Sequence, residues 1–304
     1  MPAAAVRAVL AAALVAALLG AGCGSSGSGA GTSGKVQVVA AENFWGSIAS
    51  QVGGDRVTVT SIIKNPDTDP HDYEPTPADG RAIAGAKVVI ANGAGYDPWA
   101  QKLLKSNPGS GREELDIGDL VGVKEGGNPH LWYNPAYVMR AIDAITADLK
   151  KVDPQDSSQF DQQRTAYTSK ALQRYDQLRA EIQQRYTGVP VGATESIFAY
   201  LAQSLGLNLL TPPAYMNAIS EGSDPTAQDK ATFDQQIDAN QIKVLVFNKQ
   251  NSTPDVQGLV NRAKQKNIPV VSITETPDPA NVTFQDWQAG QLQQLDQALR
   301  TSSG

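Results

Sequence analysis

Short β-branched runs alternate with amphipathic stretches along most of this chain, a pattern that predicts parallel sheets covered by helices. Val36 to Ala40, Val57 to Ile63 and Lys87 to Ala91 read as buried strands of a first lobe; Val189 to Ala193, Val244 to Phe247 and Pro269 to Thr274 read as those of a second. Thr76 with Asp79 three residues on, and Pro77 at the first helical position, forms a capping-box pattern that opens one helix. Asn134-Pro135 opens another, in which Val138, Ile142, Ile145 and Leu149 fall on one stripe, and a further helix is expected from about Ser196.

From Pro154 to about Tyr186 there is no internal Gly or Pro, and apolar residues recur at Phe160, Tyr167, Ala171, Tyr175, Leu178, Ile182 and Tyr186. That spacing predicts one long helix with a buried stripe, stiff enough to connect two lobes and to limit their relative movement. The expected class is therefore α/β, with two lobes, each a parallel sheet covered by helices, joined by one long connecting helix. The expected divisions are 1–22 signal segment, 23–35 tether, 36–153 first lobe, 154–187 connecting helix and 188–304 second lobe. No sequence repeat relates the two lobes. In open sheets of this kind ligands bind beyond the carboxyl ends of the strands, so the loops there are the first place to look for chemistry.

The N-terminus alters this picture. Arg7 precedes an apolar run, Ala8 to Leu19, which is too short for the roughly 20 residues of a membrane-crossing helix and reads as the core of a secretion signal. It ends in Gly20, Ala21 and Gly22 before Cys23, the only cysteine, an arrangement like a bacterial lipobox although Gly20 stands where Leu is common. Residues 24–34 are almost wholly Gly, Ser, Ala and Thr, as suits a flexible tether. The expectation is a lipid on Cys23 and an extracytoplasmic protein anchored to the outer face of the cell membrane; a cleaved, soluble secreted form is the alternative. No thiolate then remains for a metal site. The net charge of −6 argues against general nucleic-acid binding, which needs a basic stripe.

There are only two histidines, His71 and His130, and each follows a proline. A single histidine is more often a surface or satisfied core residue than a ligand, but two on stiffened loops of one lobe suit a site whose ligands are held before an ion arrives. The second lobe has no histidine, so any ligands it adds must be oxygens. Glu195 and Glu275 each stand where a predicted strand ends, a position that a glutamate also occupies as a helix N-terminal charge or a solvated residue.

Asp69-Pro70-His71-Asp72-Tyr73-Glu74-Pro75-Thr76-Pro77 and Asn128-Pro129-His130-Leu131-Trp132 resemble the two His-bearing signatures of the substrate-binding lipoproteins of zinc and manganese ABC importers, the cluster A-I metal-binding proteins. Thr194-Glu195-Ser196 followed by Ile197-Phe198-Ala199-Tyr200-Leu201 resembles the third ligand segment of that family, and Thr274-Glu275-Thr276 the fourth. The resemblance covers nearly the whole mature chain. It implies one ligand from each segment, His71, His130, Glu195 and Glu275, although relatives commonly carry Asp in the fourth, and Asp278 in the same loop is the alternative. It further implies a monomer that passes its ion to the permease of an ABC importer.

Two imidazoles and two carboxylates balance a divalent charge and suit Mn²⁺ or Fe²⁺ when the carboxylates are bidentate, or tetrahedral Zn²⁺. The chain lacks the His-rich loop of many zinc-specific relatives, running instead through Asn107-Pro108-Gly109-Ser110-Gly111, whereas the intrinsic affinity order favours zinc; the options weigh equally. A metal-dependent hydrolase is the least favoured reading, because four protein ligands leave little room for a reactive water, and an enzyme is not expected. A binding protein for a chelated metal or organic solute would use aromatic platforms, for which Trp45, Trp99 and Trp132 are available, with core packing as their alternative role. A surface adhesion role is a further alternative.

Overall fold

Strand β1 (Val36–Glu42) lies between β2 (Val57–Ile63) and β3 (Val88–Ala91), and β4 (Glu113–Asp116) completes a four-stranded sheet of order β2-β1-β3-β4 in which all strands are parallel. A second parallel sheet has the order β6-β5-β7-β8, from β5 (Pro190–Ala193), β6 (Asn208–Leu209), β7 (Leu245–Asn248) and β8 (Val270–Ile273). This computed structural model describes residues 34–302 apart from 67, 69, 71 and 72. Cys23 and the expected signal segment lie outside the described residues, as does His71.

The inner strands carry the apolar runs because helices cover both of their faces: all four residues of β3 are buried, as are six of the seven in β1. The strands that periodicity does not reveal are edges. Glu-Glu-Leu-Asp of β4 and the two residues of β6 keep one side toward solvent and need no β-branched run. In each sheet the chain order reverses beside the central strand, between β1 and β3 and between β5 and β7. The loops leaving the carboxyl ends there splay to opposite sides and open a crevice.

The helix expected from Pro154 to Tyr186 is interrupted. After a 3₁₀ turn at Pro154–Asp156 an α-helix covers Ser157–Ala166, a π-helical turn covers Tyr167–Ala171, and a second α-helix runs over Gln173–Tyr186. The amide of Leu172 donates to the carbonyl of Tyr167, five residues back, at 3.0 Å. The wider turn brings Leu172, rather than the expected Ala171, onto the buried stripe with Tyr167 and Tyr175.

The second bridge between the lobes is the C-terminal helix, Phe284–Ser302. It packs along Gln173–Tyr186, against β8, and also against the helix Asn43–Gly53 of the first lobe. One apolar core consequently runs through both lobes. Phe44 stacks on Trp132 with ring centroids 4.2 Å apart and is 6.5 Å from Trp287, and the buried Tyr133 hydroxyl donates to the Thr274 carbonyl at 2.7 Å. Trp45, Trp99 and Trp132 are all buried, so their rings pack the fold and offer no open platform for a solute. Lobes joined through a shared apolar core resist wide hinge opening.

Candidate metal centre

The Asn128-Pro129-His130 loop is held from both lobes. Asn92, at the end of β3, donates from Nδ2 to the Pro129 carbonyl at 2.9 Å, and its Oδ1 accepts from Trp45 Nε1 at 3.1 Å. From the second lobe, Tyr200 donates its hydroxyl to the Asn128 carbonyl at 3.0 Å. Asn128 Nδ2 donates to the Ser196 carbonyl at 2.7 Å, which leaves its Oδ1 facing His130, 2.7 Å from Nδ1 and 3.1 Å from the backbone N–H. A carbonyl oxygen can only accept, so Nδ1 carries the proton and Nε2 keeps a lone pair.

Glu195 and Glu275 sit where β5 and β8 end. Asn248, the last residue of β7, lies between them and donates from Nδ2 to Oε1 of each at 2.8 Å. Glu195 Oε2 accepts from Asn251 Nδ2 at 2.8 Å, and Glu275 Oε2 accepts from the Tyr96 hydroxyl of the first lobe at 2.8 Å. Gln250 Oε1 accepts from the backbone N–H of Glu275 and Thr276 at 2.6 and 3.1 Å, and its Nε2 donates to the Pro66 carbonyl in the loop that leads to His71.

His130, Glu195 and Glu275 are thereby brought together, each offering one ligand atom, and these atoms all lie within 4.8 Å of one another. His130 and Glu195 are each 1% exposed, so a bound ion would be largely withdrawn from water. Two carboxylates at this spacing repel, and the amides and phenol that steady them are neutral. A cation between them relieves that repulsion, and an imidazole lone pair supplies a nitrogen donor. Asp278, the alternative to Glu275, is drawn off into an ion pair with Lys249 at 2.9 Å and stands outside the cluster. A cleft of about 510 Å³, lined in part by Glu125, Asn128, Pro129, Ser196, Glu221 and Asn251, lies beside the His130 loop.

Several supporting residues carry no motif of their own in the sequence. Asn248 ends β7 and Asn251 lies just beyond it, and the polar run Asn248-Lys249-Gln250-Asn251 at the end of an apolar strand is the signal that could have found them. Glu42, at the end of β1, is wholly buried against Asp97. Burial, with the Asp97 carboxyl alongside, pushes the Glu42 carboxyl well above the usual range. Burial also pushes Asp97 up to about 6, although the N–H groups of Asn92 and Gly93, which donate to it at 2.7 and 2.8 Å, favour its ionised form.

Two parallel α/β lobes with a crevice at the carboxyl ends of their strands define a two-lobe binding protein of the periplasmic type. Residues 38–298 match the family profile of ZnuA, the periplasmic zinc-uptake complex component A, and the chain belongs to that family. It is 27% identical over 206 residues, 64% of this chain and 66% of the relative, to the manganese-binding lipoprotein MntA of Halalkalibacterium halodurans. It is 24% identical over 268 residues, 82% of this chain and 83% of the relative, to the iron ABC transporter substrate-binding lipoprotein MtsA of Streptococcus pyogenes serotype M1. Among solved structures, the Mn-bound periplasmic metal binding protein from Candidatus Liberibacter asiaticus superposes with a TM-score of 0.71 at 20% identity, covering 87% of this chain and 99% of that one. At that identity the likeness speaks for the fold.

Proposed function

We propose that this chain is the extracytoplasmic solute-binding component of an ABC importer for a divalent transition-metal ion, which it takes up in the crevice between its lobes and delivers to the permease. The convergence of His130 from the first lobe with Glu195 and Glu275 from the second carries this reading, because the three come from distant parts of the chain and their ligand atoms lie within 4.8 Å. His71 is proposed as the fourth ligand. His71 itself is outside the described residues; in the chain it stands between Pro66, whose carbonyl Gln250 holds, and Tyr73, whose hydroxyl donates to Asp79 at 2.9 Å. The ion is the cargo, so the protein acts by binding and release and performs no turnover.

The ion is Mn²⁺, Zn²⁺ or Fe²⁺. Relatives of comparable identity are named for manganese and for iron, and the family for zinc, so identity does not separate the three. We place the working divisions at 36–153 for the first lobe, 154–187 for the connecting helical segment and 188–304 for the second lobe. Residues 1–22 act as a lipoprotein signal, residues 23–35 as the tether, and a lipid on Cys23 holds a monomer at the outer face of the membrane. The relatives' names as lipoproteins support the anchor, and no helix among the described residues is long and apolar enough to cross a membrane.

Uptake by cells tests this reading. Deleting the chain should lower accumulation of one of the three ions from metal-poor medium, restored by the full-length protein and not by a Cys23→Ala form released from the membrane. Unchanged accumulation of all three would contradict the importer role.

A further inference from the structure

Asn248 occupies a position that the ligand set alone does not require. It is wholly buried, and Gln250 N donates to its Oδ1 at 2.9 Å. A backbone N–H can only donate, so the oxygen of this amide is fixed on the Gln250 side and the NH₂ group must face the carboxylates. That single nitrogen donates to Oε1 of Glu195 and to Oε1 of Glu275, both at 2.8 Å. The second oxygen of each carboxylate is gripped by a different donor, Asn251 for Glu195 and the Tyr96 hydroxyl for Glu275.

Gripping both oxygens sets more than position. It fixes the plane of each carboxylate and, through the shared nitrogen, the angle between the two planes, while each oxygen retains a lone pair for an ion. We infer that Asn248 is a positioning residue that presents Glu195 and Glu275 in a mutual orientation suited to an ion of high coordination number, and so raises selectivity for Mn²⁺ over Zn²⁺. This inference rests on the proposed metal site.

The physical basis is the different demand of the two ions. A tetrahedral Zn²⁺ needs one oxygen from each carboxylate and has the stronger intrinsic affinity for nitrogen and oxygen donors, so it can recruit a carboxylate that is free to rotate. Mn²⁺ binds such donors more weakly and fills its larger shell by taking both oxygens of a carboxylate, which requires the plane to be set beforehand. Loss of the shared donor therefore penalises Mn²⁺ more. Asn251 steadies Glu195 alone, so its loss should matter less.

The test uses metal-free full-length protein, competed against a chromophoric chelator for Mn²⁺ and for Zn²⁺, with wild type, Asn248→Leu, Asn251→Ala and His130→Ala side by side. Leucine keeps the branched shape of asparagine and removes the donor without adding charge. Asn248→Leu should weaken Mn²⁺ by roughly ten- to a hundredfold, the usual effect of losing a partner that orients a ligand, and Zn²⁺ by clearly less, so that the Mn²⁺ to Zn²⁺ affinity ratio falls. Asn251→Ala should lower Mn²⁺ affinity by a smaller factor. Should the leucine form melt below the assay temperature, Asn248→Ser, which retains an oxygen to meet the Gln250 N–H, takes its place with the same expectation. An unchanged ratio overturns the selectivity role even if both affinities drop, since general loosening would weaken both ions alike. If His130→Ala loses both ions while the Asn248 variants keep wild-type affinities, the positioning role alone falls; if His130→Ala binds like wild type, the metal site itself is wrong.

Discussion

Asn128 Oδ1 stands 2.7 Å from Nδ1 of His130, and the opposite end of the same amide is committed to the Ser196 carbonyl. One side chain of the first lobe thus selects the tautomer of His130 and ties its loop to the backbone beside Glu195. The ring is held with its Nε2 lone pair as the nitrogen donor that the proposed site would offer an ion.

Replacing Asn128 should separate these effects from folding. Asn128→Leu removes the acceptor and the bridge to Ser196 together, and divalent-metal affinity should fall by about ten- to a hundredfold. Titration of the metal-free variant measures this; affinity within twofold of wild type would show that His130 is oriented by other contacts.

The Glu42–Asp97 pair predicts how stability depends on pH. Both carboxyls are raised in the folded chain, so between about pH 4 and about 6 for Asp97 the folded state holds protons that the unfolded state has released. Stability from this pair is full below that window and declines as pH rises through it. Glu42→Gln removes the buried carboxyl that burial keeps protonated, and should raise the unfolding free energy at pH 8 with little gain at pH 4.5. Denaturant melts at the two pH values check this, and equal changes at both would contradict it.

Gly93 is needed for the loop that ends β3. Its φ is +71°, and a Cβ there would run into the Asp116 carboxylate, which already accepts from Gln101 Nε2 and the Asp119 N–H at 2.8 and 2.9 Å. Gly93→Ala should cost about 2 kcal/mol or more and, by displacing Asn92 and Tyr96, also weaken metal binding. A variant with wild-type melting and affinity would show that the loop yields without cost.

Legibility in the sequence followed burial. The inner strands announce themselves because both faces are covered, whereas β4 and β6 are edge strands whose composition resembles loop. The segment from Pro154 to Tyr186 reads as helix, but its π turn depends on which of Ala171 and Leu172 finds the core, and spacing alone does not decide that. Of the candidate site, Glu195 and Glu275 stand out by type at strand ends and His130 by type on a loop stiffened by Pro129. Asn248, Asn251 and Tyr96 do not, because a neutral amide or phenol becomes meaningful only once the fold brings two carboxylates to it. Glu42 is hidden for a related reason: it ends an apolar strand as Glu195 does, yet its partner is Asp97.

The central claim is that one ion sits between His130, Glu195 and Glu275. Crystals of the protein loaded with Mn²⁺ or Zn²⁺, measured near the absorption edge of that metal, test it most directly. The account predicts one anomalous peak per chain, within about 2.0 to 2.3 Å of His130 Nε2 and of an oxygen from each glutamate, with His71 completing the shell. A peak elsewhere, or none between these residues in a metal-loaded crystal, would contradict it.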